Sequence, residues 1–295
     1  MHDHHEGDSS DSRLVVAVLV NVLLTIVQVV GGVVSGSLSL VADALHNLSD
    51  AGALIVALVA RRIARRPPDR LRTFGYRRAE VIGALINLTT LVIVGIYLIY
   101  EAVARYFDPQ PIDGWIVVWV AGGALVVDTV TAVLTFTLSR NNLNIRAAFV
   151  HNVSDALASV AVIVAGSLTI LFGWSWADVV ATLLISAYVL VQGVSMMRGV
   201  VRILMEGVPP DLSIEEVASA LASLEGVAGV HHVHVWQFDE EHRAMEAHLV
   251  VPGGASDFVP IKQAARTLLE ERFRISHTTL ELELPSEEGA CVRGC

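Results

Sequence analysis

The sequence predicts an α-helical membrane domain of six transmembrane helices followed by a small α+β domain, ordered helix-strand-strand-helix-strand. Three observations predict it. Of 295 residues, 54% are hydrophobic and only 17% charged, with a mean hydropathy of +0.59. The apolar excess falls in the first two thirds, in runs reaching the roughly 20 residues that cross a ~30 Å hydrocarbon layer. After Gly207-Val208-Pro209-Pro210 the composition turns polar, and short alternating segments replace the long runs.

Residues 1–13 form a His-rich, acidic segment, with His2, His4 and His5 and a single basic residue, Arg13. The first apolar run, Leu14 to Val34, ends at Ser35-Gly36-Ser37. It is longer than a signal-peptide core and lacks a basic flank, so it reads as a true span. The second span covers Leu38 to Ala60, and a loop with eight arginines and two prolines follows to Arg78. The third span runs from Val81 to Val103, and the turn-rich stretch Asp108 to Gly114 ends the next link. The fourth covers Trp115 to Leu138, and Arg140 to Arg146 link it to the fifth, Ala147 to Phe172. Gly173-Trp174-Ser175-Trp176 is an aromatic turn, and the sixth span runs from Val179 to Val201.

Arginine sets the orientation. The links after spans two and four hold ten arginines, counting eight from Arg61 to Arg78 plus Arg140 and Arg146. The links after spans one, three and five hold only Arg105. Arginine-rich links face the cytoplasm, and with six spans both termini do too. Trp115, Trp174 and Trp176 fall at the opposite interface, where indoles favour the headgroup zone.

In the last third, Ser213-Ile214-Glu215-Glu216 reads as a capping box opening a helix to Leu224. Val227 to Phe238 and Ala244 to Val251 read as strands, Ser256 to Phe273 as a helix, and Thr278 to Leu284 as a last strand. The domain boundaries are then 1–13, 14–206, 207–286 and a Cys-containing tail, 287–295. Cys291 and Cys295 are the only cysteines, so no disulfide framework is implied. The net charge of −10, with no basic stripe beside exposed aromatics, excludes a nucleic-acid binder.

Chemistry enters through a hexamer used twice. His46-Asn47-Leu48-Ser49-Asp50-Ala51 recurs as His151-Asn152-Val153-Ser154-Asp155-Ala156, each copy inside a span. His and Asp four apart project from one helix face. Two such helices face to face offer two imidazoles and two carboxylates, a set suited to tetrahedral Zn2+. Zn2+ with two carboxylates is neutral, hence tolerable in a bilayer. Emptied, the site leaves two like charges there, so protons must enter as metal leaves. Hydrogen-bonding glue could account for one pair but poorly for two copies. Four protein ligands leave no open position, and no His-Glu-x-x-His string occurs, so hydrolytic chemistry is disfavoured and no enzyme is expected. For the pairs to meet at one depth, span five must start earlier, near Leu143. Gln28, Asn21 and Asn87 suit interhelical hydrogen bonds, Asp43 lies one turn from the site, and Asp128 could line the pathway or relay a proton.

The phrases Ala42 to Asp50, Thr73-Phe74-Gly75-Tyr76-Arg77-Arg78-Ala79-Glu80 and His151 to Asp155 resemble the cation diffusion facilitators, in particular their zinc-transporting branch. The resemblance covers nearly the whole chain, including a ferredoxin- or metallochaperone-like C-terminal domain. It implies a homodimeric Zn2+/H+ antiporter exporting zinc from the cytoplasm, in a bacterial cytoplasmic membrane, with His46, Asp50, His151 and Asp155 as transport ligands. The His pairs favour zinc, with Cd2+ or Co2+ as passengers. A broader exporter taking Mn2+ or Fe2+, or a membrane metal sensor that moves no ion, are the alternatives.

The resemblance carries further expectations. Some relatives bind metal in the loop after span two through an Asp and two His. Here Asp69 is present, but Arg72 and Tyr76 replace the His, so no metal is expected there. Arg78 and Glu206 look like the charged interlock that joins two protomers. His231, His248 and Glu283 look like a regulatory zinc site in the C-terminal domain, which Cys291 and Cys295 could complete. Strand alternation alone puts His231 on one face and His232 and His234 on the other, with His248 able to approach either. Nine of the eleven histidines lie in the N-terminal segment and this domain.

Overall fold

A computed structural model describes residues 22–138, 143–254 and 256–285. The expected start of the first span, Leu14 to Asn21, lies outside them, as do His2, His4, His5, Cys291 and Cys295. Helix α1 covers Val22–Ser35. Then follow α2 (Leu38–Ala64), α3 (Arg78–Phe107), α4 (Gly114–Leu138), α5 (Leu143–Phe172) and α6 (Trp176–Leu204). Helices α2 to α6 contain five stretches long and apolar enough to cross a membrane, and α1 is a shorter apolar helix. Most helices extend a few residues beyond the expected spans, and α5 starts at Leu143, as the depth argument requires. The fold is a helical membrane domain followed by a small α+β domain.

Contacts divide the chain into two compact units. The first comprises Met1–Ala57 with Ile86–Met196, the second Leu58–Leu85 with Met197–Cys295. The core of the first unit joins Leu40, Leu98, Ala102, Val117, Ala121 and Val162. Close packing relies on missing side chains. A Cβ at Gly95 would fall 2.9 Å from Leu190 Cγ, and one at Gly166 2.9 Å from Val117 Cγ1, so α3 with α6 and α4 with α5 approach closely.

The start of α2 is fixed by a buried carboxylate from the start of α6. Asp178 accepts from Ser37 Oγ (2.6 Å), Leu38 N (2.8 Å), Ser39 N (3.3 Å) and Ser39 Oγ (2.5 Å). An anion here meets both the unpaired N–H groups and the positive end of the helix dipole. Arg105, the lone arginine of its side, donates to the carbonyl of Gly36 and pairs with Glu101 at 3.1 Å.

In the second unit, α7 (Ile214–Ala222), β1 (Gly229–Gln237), β2 (Arg243–Val250), α8 (Phe258–Phe273) and β3 (Ile275–Glu283) follow the expected order. β3 starts three residues before the expected Thr278. The sheet order is β1-β2-β3, with β1 antiparallel and β3 parallel to β2. The capping box is half made. Ser213 Oγ accepts from Glu216 N at 3.2 Å, but the Glu216 carboxylate takes Arg272 instead, at 2.8 Å. Val217, Leu221, Ile261, Ala265 and Leu269 from the two helices cover Val235, Met245, Ala247 and Leu249 of the sheet. The other sheet face carries His231, His234, Glu246 and His248 beside Trp236.

One strand expectation fails. β1 does not alternate simply: His231 pairs with His248 and His234 with Glu246, so three steps on β1 match two on β2. The extra residue is a β-bulge with His232 at φ 52°. The bulge resets the alternation. Val230, Val233 and Val235 pack on the helix-facing core, while His231 and His234 share the opposite face. His231 is therefore not on a different face from His234.

Candidate metal sites

Two helices build the first site. α2 brings His46 and Asp50 to one face, and α5 does the same for His151 and Asp155. The four side chains meet, with one ligand atom from each lying within 4.8 Å of the others. The contacts cross between helices. His46 Nε2 lies 3.4 Å from Asp155 Oδ1 and 3.8 Å from Asp50 Oδ2. His151 Nε2 lies 3.2 Å from Asp50 Oδ2 and 3.5 Å from Asp155 Oδ2. Zinc bonds of 2.0–2.2 Å in a tetrahedron demand ligand–ligand edges of about 3.3–3.6 Å. The four His–Asp distances, 3.2 to 3.8 Å, fall around that range, and contraction of the remaining edges from within 4.8 Å would seat Zn2+.

The site's polar atoms are not otherwise satisfied. Both ring nitrogens of His46 and Oδ1 of Asp155 are buried without an aligned hydrogen bond, despite their proximity. Buried polar atoms seldom stay unpaired. A cation at the centre of the quartet would engage one His46 nitrogen and Asp155 Oδ1.

The quartet is unevenly covered. Side-chain exposure is 7% for His46 and 10% for Asp155, but 35% for Asp50 and 37% for His151. A polar network adjoins the covered half. Gln28 Nε2 donates to Asp43 Oδ2 at 2.7 Å, and Asn47 Nδ2 to Gln28 Oε1 at 3.1 Å. Ser159 Oγ reaches Asp128 Oδ2 at 3.1 Å and Asp43 Oδ2 at 3.5 Å. Gln28 thus bridges helices as expected, and Asp128 joins the network through Ser159. Neither Ser159 nor Tyr188, whose ring centre lies 6.4 Å from that of His46, stood out in the sequence. A hydroxyl on an apolar helix and a lone tyrosine give no signal there.

The second group lies on the sheet. His231 Nε2 is 3.1 Å from Glu283 Oε2, and His248 Nδ1 contacts Glu283 Oε1. His248 Nε2 lies 3.4 Å from Glu281 Oε2. The ligand atoms of His231, His248 and Glu283 lie within 4.8 Å of one another. Strand register makes this cluster: His231 faces His248 across β1–β2, and β3 brings Glu281 and Glu283 alongside.

The loop before α3 is closed by hydrogen bonds. Asp69 accepts from Leu71 N (2.8 Å) and Arg72 N (2.7 Å) through one oxygen, and from Tyr76 Oη (2.6 Å) through the other. The Tyr76 hydroxyl, followed by these backbone donors, holds the Asp69 carboxyl below its usual range. Arg72 lies over the Tyr76 ring, 4.8 Å from its centroid. Arg78 Nη2 pairs with Glu206 Oε1 at 2.8 Å within a single chain.

Comparison with known proteins supplies the context. The cation efflux transmembrane domain matches residues 14–205, and the cation efflux protein cytoplasmic domain matches residues 209–284. The cadmium, cobalt and zinc/H(+)-K(+) antiporter of Bacillus subtilis is 33% identical over 291 residues, covering 96% of this chain and 91% of that protein. The metal cation efflux system protein CzcD of Cupriavidus metallidurans is 35% identical over 291 residues, covering 97% and 90%. The zinc transporter ZitB of Escherichia coli is 35% identical over 287 residues, covering 95% and 90%.

Proposed function

We propose a transport function from one premise: the chain belongs to the cation efflux family. It is an integral membrane transporter with a cytoplasmic C-terminal domain, not an enzyme. It exports divalent metal from the cytoplasm by antiport, with zinc as first substrate and cadmium and cobalt as passengers. The counter-ion is H+. The protein works as a homodimer in the bacterial cytoplasmic membrane, with both termini cytoplasmic.

The observation that carries the reading is the meeting of His46, Asp50, His151 and Asp155 from two helices around one metal-sized gap. Loading replaces protons on these ligands, and release to the far side returns them. Exposure supports a state that loads from the cytoplasm. α6 leads into the cytoplasmic domain, so alternating spans put the C-terminal end of α2 and the N-terminal end of α5 on that side. Asp50 and His151 lie nearer those ends than His46 and Asp155, and they are the exposed members. Alternating access then consists of covering this pair and uncovering the other.

His231, His248 and Glu283 form a regulatory zinc site that carries no flux, and Cys291 and Cys295 add ligands to it. The Arg78–Glu206 pair braces the second unit near the dimer interface. Zinc uptake into inside-out vesicles, read with a pH dye inside, tests the main reading. Native protein should accumulate zinc and release protons; Asp50→Ala and Asp155→Ala should do neither. Zinc binding without flux in native protein would convert the reading to a sensor and refute transport.

A further inference from the structure

The bulge in β1 builds a second cluster beside the first. We propose that His232, His234 and Glu246 hold their own divalent ion, independent of one at His231, His248 and Glu283. One ligand atom from each of the three lies within 4.8 Å of the others. His232 Nε2 is 3.9 Å from Glu246 Oε1, and the His232 and His234 ring centres are 4.7 Å apart.

The backbone supports a purpose for this geometry. Regular alternation puts His231 on one face and His232 and His234 on the other, so an unbroken strand would bury one imidazole set in the helix-covered core without a polar partner. The extra residue instead puts His232 in the left-handed region, at φ 52°. Non-glycine residues occupy that region uncommonly, and such strain clusters at functional sites. Histidine is among the residues that tolerate it best. The outcome is a run of three histidines with Glu246 opposite His234 in the register.

The chemistry follows from the ligands. Two imidazole nitrogens and one carboxylate oxygen suit Zn2+, Co2+ or Cd2+, with a fourth position for water. His234 and Glu246 line a cavity of about 680 Å³, which admits hydrated ions. Arg72, Arg77 and Arg78 line the same cavity. Their charge weakens cation binding, so this site fills after the first. The His232 and His248 rings lie 4.6 Å apart, so the two ions would be neighbours while sharing no ligand. The sheet face then registers two ranges of metal concentration.

The test uses the full chain in detergent, with Asp50→Ala and Asp155→Ala removing the transport quartet. Co2+ is the probe, followed by equilibrium binding and by its visible absorption bands. His234→Ala and Glu246→Gln should each lose one cobalt per chain at the weaker step, with a band free of thiolate charge transfer. The tighter step should persist. His231→Ala should do the reverse. Each comparison is a difference between paired proteins, so metal bound at the termini cancels. Far-UV circular dichroism shows that each variant is folded, and His234→Gln provides a second, bulkier replacement. An unchanged count and spectrum in folded His234→Ala, His234→Gln and Glu246→Gln would overturn the proposal. So would the joint loss of both steps, which would mean one shared site.

Discussion

The quartet between α2 and α5 and the cluster on the sheet use the same groups, imidazole and carboxylate, under opposite conditions. In the quartet, histidine nitrogens and a carboxylate oxygen are buried and lack aligned hydrogen bonds. On the sheet, Glu283 joins His231 and His248 directly, and Glu281 approaches His248. Ligands without partners demand a cation or protons, because unsatisfied buried charge is costly. Ligands already paired to one another tolerate an empty site. The first arrangement suits a cargo site that cycles between metal and protons. The second suits a sensor whose domain folds with or without metal.

The largest expected effect breaks the quartet alone. Loss of an outer-shell partner costs 10–100-fold in metal affinity, so loss of a direct ligand in His46→Ala should cut zinc flux on the order of 100-fold or more. Proteoliposome flux measures this, and flux within threefold of native would remove His46 from the transport ligands. Acidifying the loading side should act in the same direction. Protons compete for these ligands, so apparent zinc affinity falls about tenfold per pH unit for each proton displaced.

The next effect contrasts two membrane carboxylates with zinc chelated. Asp178 satisfies four donors at the start of α2, whereas Asp155 Oδ1 is buried with no aligned hydrogen bond. Asp178→Ala should destabilise the protein by about 2 kcal/mol through lost capping and orphaned donors. Asp155→Ala should be neutral or stabilising. Thermal unfolding in detergent ranks them, and the opposite order would defeat the contrast between partnered and unpartnered carboxylates.

A smaller change belongs to the sheet. Glu283→Gln should leave the domain folded and the maximal flux intact, while the zinc needed for half-maximal regulation rises about tenfold. A collapse of maximal flux would place Glu283 in transport itself. The smallest effect is in the loop before α3. Asp69 has a depressed pKa, so its ordering influence is present above the ordinary carboxylate range and fades as pH falls through the depressed value. Tyr76→Phe should raise amide exchange at Leu71 and Arg72 a few-fold near neutrality, and zinc should not restore protection.

Much of this was legible in the sequence, for identifiable reasons. The repeated hexamer carries its own geometry, since an i, i+4 spacing on a helix fixes a shared face. The Leu143 start of α5 followed from requiring equal depth. Strand faces were less legible because alternation assumes a regular pleat. The valines at 230, 233 and 235 held the clue: their spacing of three and then two is what a one-residue bulge produces. Asp178 and Ser159 were missed because their partners are far away in sequence. Asp178 is 139 residues from Ser39, and Ser159 is 116 from Asp43. The capping box misled in part because Glu216 was drawn to Arg272, across the domain, a competition no local pattern reveals.

The tie at Asp178 has a mechanical consequence. Helix α2 carries half of the quartet, and its first turn is bound to the first turn of α6 through one carboxylate. A tilt of α2 that presents its histidine to the opposite leaflet must either strip four donors from a buried anion or drag α6 along. The second course leaves those bonds intact. Any movement of α2 that keeps these bonds carries the first turn of α6 with it.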